Sequence, residues 1–410
     1  MPERMPADSR SVIIGLSFGG FVKDAGQYVI WVIMSVYLYF AWSMSYIDIG
    51  LVFLASGLCA IPVTFYGGRL IDRHGRRKPA IMIAVIMLLF SVSLFILVSR
   101  HLDLILILSL FILFGVFQAF DYVVMTAIIA DVTIDSERIN GFSALRIASN
   151  IGIGAGLVVG GFLSIYSYSY VFILPALGYA AALIIILFRI PETAPSRLPN
   201  TGSLERHPLL NPLKDMVYIT VSFLISLSWF ITGMFESSAT PLYFESVSHM
   251  DSLSITVLFT VNTIVVVVLQ KPMNRLVIKW RDSMRIVVGI LFYGVAFAMF
   301  AITANYPVLV MCVVLLTMGE NMSAPASTSL VTKLAPEESR GAYLGLNSSI
   351  SGMISPFRPL FGSLLLTVFV ETPSYTWLTI SSFCILISMS LLLSLGFISR
   401  KRVTSGLPTL

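Results

Sequence analysis

Twelve apolar runs, each long enough to cross a lipid bilayer as a helix, dominate this 410-residue chain. A helix needs about 20 apolar residues to span the hydrocarbon core. The runs are 12–40, 47–68, 79–99, 103–130, 141–165, 169–188, 215–244, 253–273, 284–304, 306–332, 342–370 and 375–398, and we number them as spans 1 to 12. Only 11% of the residues are charged, about half the share of a soluble domain. The sequence therefore predicts an all-α membrane protein with 12 transmembrane helices.

Lysine and arginine lie almost entirely in alternate connections between these runs. With the N-terminus inside, the inner segments hold 22 of the basic residues and the outer loops hold one, Arg100. Cytoplasmic loops carry such an excess, so we predict a multi-pass protein of the cytoplasmic membrane with both termini in the cytoplasm. The basic pI of about 9.1 is explained by these loops, and we expect the lipid bilayer, not nucleic acid, as the partner.

The two halves of the chain resemble each other. Arg69 and Leu70 after span 2 match Arg275 and Leu276, 206 residues later, and Arg138 between spans 4 and 5 matches Arg340 at an offset of 202. Such repeats in a transporter indicate two bundles that rock around a site near the bilayer midplane, which is alternating access. The predicted parts are an N-terminal six-helix bundle, a Pro-rich cytoplasmic linker and a C-terminal six-helix bundle, at 1–188, 189–214 and 215–410.

The connection after span 2 carries the most specific motif. It reads "GRLIDRHGRR" from Gly68, with Asp72, Arg73, Gly75 and Arg76 inside it. This resembles motif A of the major facilitator superfamily, G-x-L-x-D-R-x-G-R-[KR], at the position where that family has it. The resemblance covers essentially the whole chain and implies that the acid and its arginines form a gating network at the cytoplasmic face. The alternative from the residues alone is a basic anchor that only fixes topology.

Span 5 contains a stripe of glycines at helical spacing, formed by Gly152, Gly156, Gly160 and Gly161. Small residues at this spacing let helices approach closely. The stripe resembles motif C of the 12-span drug/proton antiporters in that family, although Leu157 stands where the motif has proline. Either a packing seam between spans 5 and 8 or an antiporter signature accounts for it. Span 4 also lacks the arginine that such antiporters often carry.

Four acids lie deep in the apolar runs, one each in spans 1, 4, 7 and 10: Asp24, Asp121, Glu236 and Glu320. A charge at this depth is costly and indicates function. The resemblance implies that these four helices line the central cavity. Because apolar surroundings favour the neutral form of a carboxyl group, these acids suit proton transfer. We favour Asp24 and Asp121 as proton sites, with Glu236 and Glu320 as alternatives.

Two bases lie in the same regions. Lys23 precedes Asp24, and Arg358 lies between Pro356 and Pro359 in span 11, where it is predicted either to neutralise Glu320 or to bind an anionic substrate group. Polar and aromatic side chains on the predicted cavity helices complete the candidate substrate site: Gln27, Tyr28, Gln118, Tyr122 and Asn321. Aromatic rings beside acids suit organic cations.

These features predict a secondary transporter that exports small amphipathic or drug-like compounds in exchange for H⁺. The alternative is a proton-coupled importer of an organic metabolite, with Lys23 or Arg358 holding an anionic group. An enzyme is not expected, because no HExxH or Walker A motif occurs. We expect a monomer with no cofactor and no metal site, driven by the proton gradient.

Overall fold

The structure is a computed structural model that describes residues 7–133, 138–193, 210–336 and 340–404. The described residues are helical and contain no strand, which confirms the all-α prediction. The helices are α1 Ala7–Trp42, α2 Tyr46–His74, α3 Arg77–Ser99, α4 Leu104–Val132, α5 Arg138–Tyr166, α6 Ile173–Arg189, α7 Leu210–Lys214, α8 Met216–Thr232, α9 Ala239–Ser246, α10 Ser252–Val277, α11 Asp282–Ile302, α12 Tyr306–Leu334, α13 Arg340–Ile354, α14 Arg358–Val368 and α15 Ser374–Thr404.

Eleven helical segments within the described residues are long and apolar enough to cross a membrane. The run at 342–370 is not among them, because it is divided into α13 and α14 by a 3-10 turn at Ser355–Phe357. Pro356 and Pro359 lack the N–H that would bond to the preceding turn, and two such losses so close together favour a break in the helix. Span 11, and with it the count of twelve, therefore stays a prediction.

Span 7 is also interrupted. Its first part, α8, ends at Thr232, and a 3-10 turn at Gly233–Glu236 separates it from α9. The Gly233 N–H bonds to the carbonyls of Ile231 and Trp229 as α8 ends. Breaks inside apolar segments leave backbone carbonyls free for other partners, and in transporters they mark binding sites.

The connection between spans 2 and 3 differs from the expected loop. Helix α2 continues through the motif to His74, and only Gly75 and Arg76 separate it from α3. Gly75 adopts φ +84°, a left-handed conformation that glycine accepts without strain, so it ends α2 abruptly. The basic residues before Gly75 thus extend the helix beyond its apolar part.

The chain divides into two compact units. The first comprises Met1–Thr201 and Phe244–Ile264, and the second Gly202–Tyr243 and Val265–Leu410. The predicted division assigned 244–264 to the C-terminal bundle, whereas its contacts place it in the first unit. The middle of the predicted linker, 194–209, lies outside the described residues.

In the first unit, α1 packs against α5 and α6, and α4 packs against α2 and α3. In the second unit, α11 packs between α12 and α15, and α8 contacts α13 and α15. A cluster of aromatic rings fills the core of the second unit, where Phe297 and Phe300 lie within 5.5 Å of the Trp377 ring. Each unit therefore has a core of its own.

Candidate functional site

A buried ionic cluster lies in the first unit. Lys23 on α1 forms a salt bridge with Asp121 on α4, 98 residues away in the chain. Asp24 is the next residue on α1, and all three residues are 4 to 7% exposed. The Lys23 ammonium thus pairs with an acid of another helix, Asp121, and not with its neighbour in sequence.

Asp24 is held by neutral hydrogen-bond donors. The Gln27 amide donates to Asp24 Oδ1 over 2.6 Å, and the Tyr179 hydroxyl from α6 donates to Gln27 Oε1 over 2.6 Å. The Ser149 hydroxyl from α5 lies close to the Asp24 carboxyl group. These contacts fix the orientation of the carboxyl group but bring no positive charge beyond that of Lys23.

The buried charges of this cluster do not balance. With both acids ionised, Asp24 and Asp121 carry two negative charges against the one positive charge of Lys23. Arg146 also lies on the wall of the adjoining cavity, but it is exposed and forms no ion pair with either acid among the described side chains. An uncompensated charge in a buried site is costly, and the site lowers that cost when it takes up a positive charge. The arrangement therefore suits Asp24 to hold a proton or the cationic group of a ligand.

The cluster opens into a cavity of about 720 Å³, within the range usual for small-molecule sites. Its walls include residues predicted for the substrate site: Gln27, Tyr28, Gln118 and Tyr122. Trp31 donates its indole N–H to Gln118 Oε1 over 2.9 Å, which orients the amide. Tyr122 is 69% exposed, so its ring is accessible from the cavity.

The glycine stripe on α5 holds α1 close. A side chain at Gly152 would collide with the Phe21 carbonyl, one at Gly156 with the Ala25 carbonyl, and one at Gly160 with Val29. Gly154 and Gly161 instead face Thr263 and Thr256 on α10. The expected seam with span 8 is thus formed by the latter two, whereas span 1 is the partner of the other three.

Arg76, from the predicted gating motif, makes an ion pair at the end of the first unit. Its Nε lies 2.8 Å from Asp131 Oδ2 at the end of α4. Glu192, after α6, accepts the backbone N–H of Arg76 over 2.7 Å and that of Arg77 over 3.3 Å. The positive end of α3 favours a carboxylate at this place.

The structure shows less about the contacts of the other residues predicted for this motif. The side chains of Asp72 and Arg73 lie outside the described part of the structure. At Gly68, an added Cβ would meet no described atom within 4 Å, so no close helix approach requires glycine there. Gly75 forms the tight turn, and its Hα side faces the Glu192 carboxylate.

The second unit contains a pair at the equivalent position with the charges reversed. Lys333 at the end of α12 lies 2.6 Å from Asp282 at the start of α11. Asp282 follows Arg76 by 206 residues, and Lys333 follows Asp131 by 202, which are the two repeat offsets. In the first unit such an ion pair therefore joins α3 to α4, and in the second unit one joins α11 to α12.

The remaining predicted site residues lie in the second unit. Glu236 is exposed at the 3-10 turn, and Glu320 is half-buried on α12. Both lie within electrostatic range of the buried Tyr293. Asn321 donates to the Val265 carbonyl over 3.4 Å, a weak bond that fixes helix packing. Arg358 donates to the Trp229 carbonyl over 3.1 Å.

Several residues that build these sites were not predicted. Tyr179, Asp131 and Glu192 carry hydrogen bonds or ion pairs that the sequence reasoning did not assign, and Ser149 lies close to Asp24. Asp131 had a signal, because it lies at the repeat offset from Lys333. Glu192 lies four residues after span 6, next to Pro191. Nothing in the sequence distinguishes Tyr179 and Ser149 from other helix residues. Their side chains face the cluster only because of how α6 and α5 are rotated about their axes.

The architecture and the cavity define the class of protein. A family model described as "Major Facilitator Superfamily" matches residues 16–357 and 222–409 of the chain. The chain belongs to this family, as its motifs suggested. It is a multi-pass membrane protein and a transporter, not an enzyme.

Similar curated proteins are bacterial. The Bacillus subtilis (strain 168) "Uncharacterized MFS-type transporter YttB" is 28% identical over 363 residues, which are 88% of this chain and 89% of that protein. The Staphylococcus aureus "Quinolone resistance protein NorA" is 26% identical over 338 residues, which are 82% and 84% of the two chains. The Bacillus subtilis "Multidrug resistance protein 1" is 26% identical over 312 residues, with 75% and 78% covered.

Solved structures share the fold at lower identity. A POT family transporter in complex with 5-aminolevulinic acid superimposes with a TM-score of 0.72 at 16% identity, covering 93% of this chain and 95% of that one. The nucleoside transporter NupG gives a TM-score of 0.70 at 14% identity, with 93% and 99% covered. At these identities the likeness concerns the fold alone.

Proposed function

We propose that this chain is a secondary active transporter that exports small amphipathic or drug-like compounds in exchange for protons, by alternating access. The observation that carries the proposal is the buried Asp24 carboxyl group, which forms no ion pair among the described side chains while Lys23 pairs with Asp121. The relatives named for quinolone and multidrug resistance support export. The proton gradient supplies the energy, and no bound cofactor is required.

In this proposal Asp24 alternates between a proton and the cationic group of the substrate. Both ligands neutralise the same carboxylate, so each displaces the other, and exchange follows from competition for one site. The aromatic rings of Tyr28 and Tyr122 contact the organic part of the substrate. Lys23 remains paired with Asp121, so that Asp121 does not bind a proton or a substrate cation as well.

The same proposal places the chain in the cytoplasmic membrane as a monomer, with both termini inside and twelve spans. The distribution of lysine and arginine supports this orientation. Helices α13 and α14 together form span 11, since a break inside a transporter helix is tolerated where it borders protein or a cavity.

Proton-coupled import of an organic metabolite is the second candidate. Arg358 favours this candidate. It lies where α13 is separated from α14, donates to the last turn of α8, and carries a positive charge that can bind an anionic group. The two candidates differ in the direction of flux relative to the proton gradient, and one assay separates them.

The test uses the full chain in proteoliposomes with an imposed pH gradient and a panel of amphipathic cations and organic acids. We expect cation flux opposite to the proton flow, and a loss of at least tenfold in gradient-driven flux for Asp24→Asn. Asp48→Asn is the matched control, because Asp48 is exposed at the start of α2. Flux that ignores both the gradient and Asp24→Asn contradicts proton coupling. Flux along the proton flow supports the importer instead.

A further inference from the structure

Two helix breaks meet in the second unit. The 3-10 turn Gly233–Glu236 interrupts span 7, and the turn Ser355–Phe357 interrupts span 11. A side chain at Gly233 would collide with the Arg358 guanidinium, and one at Gly362 would collide with Ala239. The two broken segments are therefore in direct contact at the level of Arg358.

Arg358 is not fully satisfied by this contact. Its Nη2 donates to the Trp229 carbonyl over 3.1 Å, which uses an acceptor at the end of α8. Its Nε is buried, yet no described atom accepts a hydrogen bond from it. A guanidinium presents its N–H groups as a planar fork that matches a carboxylate, so an unused Nε beside a cavity indicates room for an acceptor.

A cavity of about 300 Å³ lies at this point. Its walls combine one cation, two aromatic rings and three hydroxyl groups, from Arg358, Trp229, Phe230, Ser226, Ser351 and Ser355. Ser226 and Ser351 already hydrogen-bond to each other over 2.7 Å. Arg358 also begins α14, whose positive helix end adds to the field of the guanidinium.

An acid nearby sets the charge of a ligand. Glu236 lies within electrostatic range of Arg358, but these two described side chains form no ion pair. The fork of Arg358 is therefore open to an added anion, while Glu236 repels one that carries two charges more strongly than one that carries a single charge. The site favours a single carboxylate over a phosphate dianion.

We propose that this pocket binds the carboxylate of an aromatic or similarly apolar organic compound, with Arg358 as its anchor. Arg358 Nε and the neighbouring Nη hold the carboxylate, and the rings of Trp229 and Phe230 pack on the apolar part. The inference rests on the second candidate of the proposed function, import of an organic metabolite, since it names the class of that substrate. It is independent of Asp24, which lies in the other unit and takes positive charge.

The test measures equilibrium binding to the purified full chain in lipid nanodiscs, without any proton gradient. The probes are 2-naphthoate and 2-naphthylmethylamine, which share a ring and differ in the sign of their charge. We expect Arg358→Gln to raise the Kd of 2-naphthoate by about 10- to 100-fold, the range for losing a charge-assisted hydrogen bond. The Kd of the amine stays unchanged.

Two further variants make the result decisive. Gly233→Ala keeps the positive charge but displaces the flexible end of Arg358, and we expect it to weaken 2-naphthoate binding as well. Arg275→Gln removes an exposed arginine of α10 in the same unit and serves as the matched control, with unchanged binding.

The proposal is overturned if the folded wild-type chain does not bind 2-naphthoate. It is also overturned if Gly233→Ala and Arg358→Gln bind it as the wild type does, or if Arg275→Gln weakens it equally. Should Arg358→Gln fail to elute as a monodisperse protein, Gly233→Ala alone decides. A failure of proton-driven flux in proteoliposomes leaves this binding result intact, so the two proposals fail separately.

Discussion

The charge-reversed ion pairs of the two units permit a quantitative prediction. Arg76 and Asp131 lie 2.8 Å apart with side chains 10% and 19% exposed, whereas Lys333 pairs with Asp282 at 2.6 Å but is 63% exposed. An exposed pair contributes about 0.2 to 1 kcal/mol. Removing one partner of a buried pair costs about 3 to 5 kcal/mol. We therefore expect a coupling energy of about 2 kcal/mol for the first pair and about 0.5 kcal/mol for the second.

The assay is a double-mutant cycle on each pair, followed by unfolding titrations of the purified chain in mixed detergent micelles. Arg76→Gln and Asp131→Asn, alone and combined, give the first coupling energy, and Lys333→Gln with Asp282→Asn give the second. The cycle isolates the pairwise energy even though Arg76 has other contacts. The reasoning is refuted if the second coupling energy equals or exceeds the first, because burial would then not govern the strength of the pairs.

A charge exchange within the first unit extends this test. Arg76→Asp combined with Asp131→Lys gives the first unit the charge order of the second. An acid at the start of α3 is favoured by the helix dipole, although it also faces the Glu192 carboxylate. We expect the double variant to be more stable than either single reversal, measured by the same titration. A double variant that is less stable than both would contradict the repeat relation between the pairs.

Two further predictions concern the first unit. Lys23→Met should destabilise the chain by about 3 to 5 kcal/mol, since it leaves Asp121 buried without a partner, and adding Asp121→Leu should recover most of this loss in unfolding titrations. Gly156→Ala should strongly reduce the yield of folded protein by size-exclusion chromatography, because its Cβ collides with the Ala25 carbonyl, whereas Gly345→Ala, which meets no described atom within 4 Å, should not.

The sequence was sufficient to predict the fold. The lengths of the apolar runs reflect the thickness of the bilayer, and the order of the basic residues reflects the orientation of the chain. Both can be read from the sequence without knowledge of tertiary contacts. Pro356 and Pro359 made a disturbance of span 11 foreseeable, since proline lacks the N–H of a continuous helix. The extension of α2 to His74 was not foreseeable, because charged residues end an apolar run without ending a helix.

The pairing of side chains was beyond reach of the sequence. Lys23 and Asp121 are 98 residues apart, and whether they meet depends on the rotation of α1 and α4 about their axes. A single sequence contains no measure of that rotation. The same holds for Tyr179, whose hydroxyl reaches Gln27 only because α6 packs on α1.

The glycine stripe and the buried charges are linked through the two sides of α1. Phe21, Ala25 and Val29 recur every four residues and receive the glycines of α5, so the backbones of the two helices are in direct contact. Asp24 and Gln27 lie at other positions of the same turns and enter the hydrogen-bonded cluster. Because the backbones of α1 and α5 are in contact, α1 cannot rotate about its axis to expose the Asp24 carboxylate to water. The close packing of α5 therefore holds Asp24 in its buried position, as the proposed exchange of a proton for a cation requires.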